Sequence, residues 1–226
     1  MRACIHQPNF LPYLGIFNKI KQSDIYVVYD VAQYVRDRFD NRNQIKGPAG
    51  PIWLTVPLQV KDSFLKRFFE VKLPDDPHWK KKHLRTIEHT YSRAAHFKTY
   101  FPPFAGIYEG PHATLADISV AIIEFLLKEF RIGTRVVRTT AMDLDSSLQS
   151  TEMIVQILKK LGVTRYLAGA SGKKYMDMDL LAKEGIQVDF QHYDHPIYRQ
   201  MYGAFVPNLA AIDLLFNEGE NAGNLI

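Results

Sequence analysis

Two prolines within the first dozen residues constrain this chain more than any other feature. Pro8 and Pro12 flank Asn9-Phe10-Leu11 and deny that stretch both helix and sheet ladder. Before them, Ala3-Cys4-Ile5-His6 is a short apolar run ending in a polar residue, the pattern of a buried strand reaching an open edge. After them, Tyr13, Leu14, Phe17 and Ile20 recur at helical spacing. Ser23-Asp24 stops that helix, and Ile25-Tyr26-Val27-Val28-Tyr29 reads as a second buried strand closed by Asp30. This strand–loop–helix–strand unit puts His6, Gln7 and Asp30 at the carboxyl ends of two strands. Open α/β sheets bind ligands at that edge.

Further along, Gln33 to Gly50 is polar, carries Arg36, Arg38, Asn41, Arg42 and Asn43, and reads as a loop. It closes on the turn Gly47-Pro48-Ala49-Gly50-Pro51. Ile52–Leu58 and Phe68–Lys72 read as strands separated by a Lys61-Asp62-Ser63 turn. From Trp79 to Ile107 the pattern is helical, with Trp79, His83, Ile87 and Tyr91 one turn apart, and Thr114 to Phe130 is an amphipathic helix. Strands at Arg135–Arg138, Arg165–Ala168 and Ile186–Phe190 then alternate with helices at Ser150–Leu161 and Lys174–Lys183. Alternation of this kind predicts an α/β fold with a mainly parallel, Rossmann-like sheet. The expectation is one domain over residues 1–226, with 79–130 as a helical insert or lid and a frayed tail from Asn217.

Composition narrows the setting. A chain of 226 residues can bury a sizeable core without staples. A lone cysteine excludes an internal disulfide, and Met1 leads straight into the first strand, leaving no room for a signal peptide. No apolar stretch approaches the ~18 residues of a membrane span. Cytoplasmic location without membrane insertion is the expectation. The formal charge of +4 suits small anionic substrates, and no basic block resembles a nucleic-acid arm.

The chemistry-bearing residues gather at the strand ends. His6 titrates near neutrality in its ordinary state and is the candidate general base, with Gln7 to orient a carbonyl or phosphate. Cys4 shares a strand face with His6, but a mid-strand cysteine is ordinarily a small buried hydrophobe. Asp30 is the candidate to orient His6 or hold an amine, and the bland alternative is a turn cap. Asn41-Arg42-Asn43 offers guanidinium and amide donors for a phosphate. His83 and Tyr91 share a helical face, His83 as a second acid/base group and Tyr91 as a substrate contact, against the simpler reading of an aromatic core stripe. Gly169-Ala170-Ser171-Gly172-Lys173 follows a strand, and Ser171, Gly172 and Lys173 can cradle an anion there. The loop after the last strand adds His192, Tyr198 and Gln200. No histidine or cysteine spacing matches a metal site, and no cofactor is called for.

Several of these runs carry a resemblance. His6-Gln7-Pro8-Asn9-Phe10-Leu11-Pro12-Tyr13-Leu14-Gly15, Asp30-Val31-Ala32-Gln33, Asn41-Arg42-Asn43, Trp53-Leu54-Thr55-Val56-Pro57 and Asp213-Leu214-Leu215-Phe216-Asn217 resemble the WbqC-like family, from about Ala3 to Asn217. The family is associated with bacterial surface-polysaccharide gene clusters. The resemblance implies an N-acyltransferase that moves an acyl or aminoacyl group onto the amine of a (nucleotide-)amino sugar in O-antigen biosynthesis. Its partners would be a nucleotide sugar and an acyl carrier protein. The strand-one histidine loop keeps two other readings open, a nucleotide-dependent ligase or nucleotidyltransferase and a non-catalytic nucleotide-sugar-binding protein. Asn9, Tyr13 and Gln33, within the quoted runs, complete the candidate substrate contacts.

Overall fold

Residues 1–35, 39–58 and 66–226 are described in a computed structural model of the chain. The first unit forms as its sequence predicts, with β1 (Arg2–His6), α1 (Leu14–Lys21) and β2 (Ile25–Val28). A hairpin of β3 (Arg42–Gly47) and β4 (Gly50–Thr55) follows. Three helices come next, α2 (His78–Tyr91), α3 (Phe97–Glu109) and α4 (Leu115–Glu129). The chain then runs through β5 (Arg135–Arg138), α5 (Ser150–Lys160), β6 (Arg165–Ala168), α6 (Met178–Lys183) and β7 (Gln187–Phe190). It closes with α7 (Ile212–Glu218) and the single turn α8 (Ala222–Leu225).

Five strands make one sheet in the order β5-β2-β1-β6-β7, every pairing parallel. The path leaves β1 toward β2 and β5, then returns to the other side of β1 with β6 and β7. The strand order therefore reverses between β1 and β6, the point where doubly wound sheets open a crevice for ligands.

Burial on both faces explains why β1 and β2 read as apolar runs. Cys4, Tyr26 and Val28 face a core built with α1, α2, α3, α4 and α7. Ala3, Ile5, Ile25 and Val27 face a second core closed by α5 and α6. The helical middle of the chain thus shares one apolar core with the sheet.

Four local expectations are corrected. Asn41-Arg42-Asn43 is not a loop, because Arg42 and Asn43 start β3, paired with Thr55 and Leu54. Phe68–Glu70 is a 3-10 turn instead of a strand; Phe68 is fully buried, and its N–H donates to the Ala32 carbonyl. The helix expected from Lys174 begins at Met178, where Asp177 caps it, while Ala170–Lys174 forms a 3-10 turn. The tail from Asn217 is docked, since Asn18 and Lys21 on α1 donate to the Ile226 and Gly223 carbonyls and Ala222 is fully buried. Arg36, Arg38 and the Lys61-Asp62-Ser63 turn lie outside the described residues. No helix among the described residues is long and apolar enough to cross a membrane.

Candidate functional site

A cavity of about 460 Å³ opens beside the carboxyl end of β1, lined by His6, Asn9, Pro12, Tyr13, Ile16, Phe39, Asn43 and Asn208. Its floor is the proline loop and the first turn of α1. Cys4 pairs with Leu167. That is the last pairing between β1 and β6, so the two strands part beyond Cys4. The cavity therefore sits on the β1 side of the switch point.

The loop is held in a costly shape. Leu11 has a φ of 49°, in the left-handed region, which costs a non-glycine residue roughly 1–2 kcal/mol. Three hydrogen bonds from distant segments impose it. Asn43 Nδ2 donates to the Leu11 carbonyl, the Phe10 N–H to the Asp40 carbonyl at 3.1 Å, and the Ala211 N–H to the Pro12 carbonyl at 2.8 Å. Strain over-determined in this way is characteristic of functional loops. Tyr13 then folds over α1, where a Cβ on Gly15 would collide with its ring. No side chain caps this helix N-terminus; the Ile16 N–H donates back to the Tyr13 carbonyl at 3.2 Å, and Tyr13 bridges to Ala210.

Two residues of the cavity wall carry acceptor atoms that no protein donor uses. His6 Nδ1 lies 2.9 Å from the Gln7 carbonyl oxygen, which can only accept, so Nδ1 carries the proton and Nε2 holds the free lone pair. Burial, and next the charge of nearby Lys19, push the His6 pKa down to about 3, against a partial offset from that carbonyl. The imidazole is therefore neutral at physiological pH. Lys19 is buried beneath β1 with its ammonium on the Ile5 carbonyl at 3.3 Å, and burial lowers its own pKa. Asn9 is 8% exposed, and its Nδ2 donates to Asp40 Oδ1 at 3.2 Å. Because a carboxylate only accepts, that bond fixes the amide orientation, and Asn9 Oδ1 is left buried without a protein partner. An orphaned acceptor of this kind asks for a donor from outside the chain.

The structure brings together His6, Asn9, Tyr13 and Asn43 from the sequence-derived candidates. It disperses the others. Asp30 is fully buried, with Oδ1 accepting from Thr139 Oγ1 and the Thr140 N–H, and Oδ2 from Thr140 Oγ1 and Arg138 Nε. Arg138 also binds Asp117 at 2.9 Å, so Asp30 ties β2, β5 and α4 together rather than facing His6. His83 lies in an aromatic cluster with Phe10, Trp79 and Tyr108, its Nδ1 hydrogen-bonded to the Tyr108 hydroxyl. Burial lowers its pKa to about 4, with a Thr55 backbone hydrogen bond acting in opposition.

Tyr91 and Tyr198 both donate to the buried Asp213 carboxylate, at 2.6 and 2.7 Å. Gln200 donates to the Val206 carbonyl and accepts from the buried Lys46 at 3.1 Å, which anchors the irregular segment before α7. Asn41 donates to the Val56 carbonyl, and Arg42 lies over the Trp53 ring at 4.7 Å. Gln33 forms an isolated bridge with Arg67. Gln7 contributes its carbonyl to the loop, accepting from Asn9 N–H and His6. Ser171, Gly172 and Lys173 sit in the 3-10 turn, where a Cβ on Gly172 would press on Met176 and the Lys173 ammonium lies 4.9 Å from the Phe190 ring. His192 pairs with Asp194 at 3.3 Å, both almost fully exposed. Cys4 is fully buried, and burial raises its pKa, which leaves it a protonated thiol. No group of three or more histidine, cysteine or acidic residues among the described residues is arranged to hold a metal.

Sequence reasoning missed Phe39, Asn208 and Lys19. Phe39 was an aromatic isolated in a polar run, and Asn208 followed a proline. Neither signal said where the chain would return. The sequence model described as the WbqC-like protein family matches residues 7–225. The Mycobacterium tuberculosis (strain ATCC 25618 / H37Rv) protein named "Uncharacterized protein Rv1507c" is 33% identical over 223 residues, covering 98% of this chain and 95% of that one.

Proposed function

This chain belongs to the WbqC-like protein family, and from that premise we propose that it transfers an acyl or aminoacyl group onto the amine of a (nucleotide-)amino sugar in the cavity beside His6. The observation that carries the reading is the pair of acceptors, His6 Nε2 and Asn9 Oδ1, on residues lining one cavity. Such a wall suits a ligand that brings N–H or O–H donors, and a neutral amine brings two.

The reaction follows from that placement. Amine nitrogen attacks the carbonyl carbon of the acyl donor, forming the C–N bond. The carbonyl electrons move to oxygen, giving a tetrahedral adduct with a negative charge on that oxygen. That negative charge favours the imidazolium, so a histidine that is a weak base in the empty site becomes a stronger one as the adduct forms. His6 takes the proton from nitrogen and passes it to the leaving group as its bond to carbon breaks. An acyl carrier protein is the donor partner that fits this scheme.

A second reading, a nucleotide-dependent ligase or nucleotidyltransferase, draws support from the strand order and the cavity at its switch point. Pyrophosphate release from ATP would select it.

Mass-spectrometric detection of an acylated amino sugar tests the proposal. His6→Ala is expected to slow transfer by about 10²–10⁴-fold, the usual worth of acid–base catalysis, with a much smaller loss of acceptor binding from the missing Nε2. Asn9→Leu should instead weaken acceptor binding, since it deletes the acceptor atom. A fully active, folded His6→Ala protein would remove the base from the scheme.

A further inference from the structure

The cavity has an aromatic margin that the transfer chemistry does not use. Phe39 lines the cavity yet is 54% exposed, and Trp53, on the outer face of β4, is 43% exposed. Their ring centroids lie 5.9 Å apart with planes tilted by 35°, so the two form one continuous surface. Asn43 and Trp53 stand on opposite faces of the hairpin, because Trp53 pairs with Gln44 and Leu54 with Asn43. Phe39 joins them, touching the cavity on one side and the indole on the other. The Arg42 guanidinium stacks over Trp53 at 4.7 Å, which puts a cation next to the rings.

Leaving two large aromatics in water forfeits the stabilisation that burial gives them. The neighbouring cavity is concave and mainly apolar with a few polar groups, and about 460 Å³ is the size of a small-molecule site. We propose that Phe39 and Trp53 are a stacking platform for the base of a nucleoside diphosphate whose remaining part enters the cavity at His6 and Asn9. A base has a π-face whatever its identity and stacks on exposed rings, and the guanidinium against the indole adds a cation–π contribution to that surface. The occupant is thus a nucleotide-linked sugar, its base outside on the platform and its sugar amine inside against the two acceptors. This rests on the reading of the His6 cavity as the acceptor site.

The chain holds two tryptophans, so Trp79→Phe leaves Trp53 as the sole indole reporter. Trp79 Nε1 is buried without a partner, so that background substitution breaks no hydrogen bond. Uridine diphosphate and adenosine diphosphate are titrated against Trp53 emission, with ribose 5-phosphate as the base-free control. Saturable quenching by at least one nucleotide is expected, and none by ribose 5-phosphate. In the same background Phe39→Ala should weaken nucleotide binding by about 5- to 100-fold, the usual worth of one base–aromatic stack. Calorimetry on the otherwise native chain supplies the second arm: Trp53→Phe should retain binding and Trp53→Ala should lose it by a similar factor. Failure of both nucleotides to bind, quenching by ribose 5-phosphate alone, or unchanged affinity in Phe39→Ala would overturn the platform. Acyl transfer to a free amino sugar without nucleotide binding would overturn the platform and spare the transferase. Nucleotide binding that depends on Phe39, without acyl transfer, would do the reverse.

Discussion

At the scale of single residues, burial decides protonation and protonation decides stability. His83 is closed in among Phe10, Trp79 and Tyr108, and its pKa falls to about 4 from an ordinary 6.5. Below pH 6.5 the unfolded chain binds a proton at this position while the folded chain refuses it. Stability is therefore fully present above about pH 6.5 and drains away as pH falls toward 4, by up to about 3 kcal/mol. Urea unfolding at pH 7 and pH 4.5 should show His83→Phe losing less stability between the two pH values than the parent chain does. An unchanged acid slope would mean that the imidazole is protonated in the fold. The periodicity around Trp79, His83 and Tyr91 was legible in the sequence, and so was the aromatic-stripe reading of it. Whether that stripe faced a cleft or a core was not, because the answer lies with Tyr108 and Phe10, remote in the chain.

Among the secondary-structure elements, three helices end in the same way. After α5 and α6, Gly162 and Gly185 adopt φ values of 64° and 72°, and the next residue reaches back to the helix, Val163 to Leu158 and Ile186 to Leu181. The end of α4 makes the same pair of bonds, Arg131 to Lys128 and Ile132 to Leu127, but with an arginine at φ 57°. A left-handed C-terminal residue is where glycine is favoured. Arg131→Gly should therefore stabilise the protein by about 0.5–1 kcal/mol, read as a rise in Tm. The exposed Arg131–Glu220 pair that it removes is worth little. Two of these three stops were visible as glycines. The strand β3 was not visible at all, because its polar residues are satisfied only in three dimensions. Asn43 is spent on Leu11, and buried Lys46 on Gln200 and the Ala204 carbonyl.

For the whole molecule, one apolar core runs from Cys4 and Tyr26 in the sheet to Tyr108 and Ile118 in the helical middle. The helices between the hairpin and β5 therefore have no core of their own, and unfolding should be a single transition. In a Trp53→Phe chain, Trp79 emission reports on α2 while far-UV circular dichroism reports on all elements. Their urea midpoints should coincide, and separate midpoints would divide the molecule into two cooperative units. The gathering of five strands into one parallel sheet was readable because strands alternate with helices of ordinary length, whereas their order was not. Of the candidate cavity, the stretch from His6 to Tyr13 and Asn43 were readable, while Phe39 and Asn208, which complete its other wall, were not.

That second wall has a consequence in time. The last strand of the sheet ends at Phe190, whereas Asn208 and the bridge between Tyr13 and Ala210 come some twenty residues later. Synthesis runs from the amino end at roughly 5–20 residues per second. A nascent chain on the ribosome thus possesses every strand of its sheet for a second or more before it possesses a whole cavity, and the proline loop, with Asp40 and Asn43 already made, waits for its last pin from Ala211.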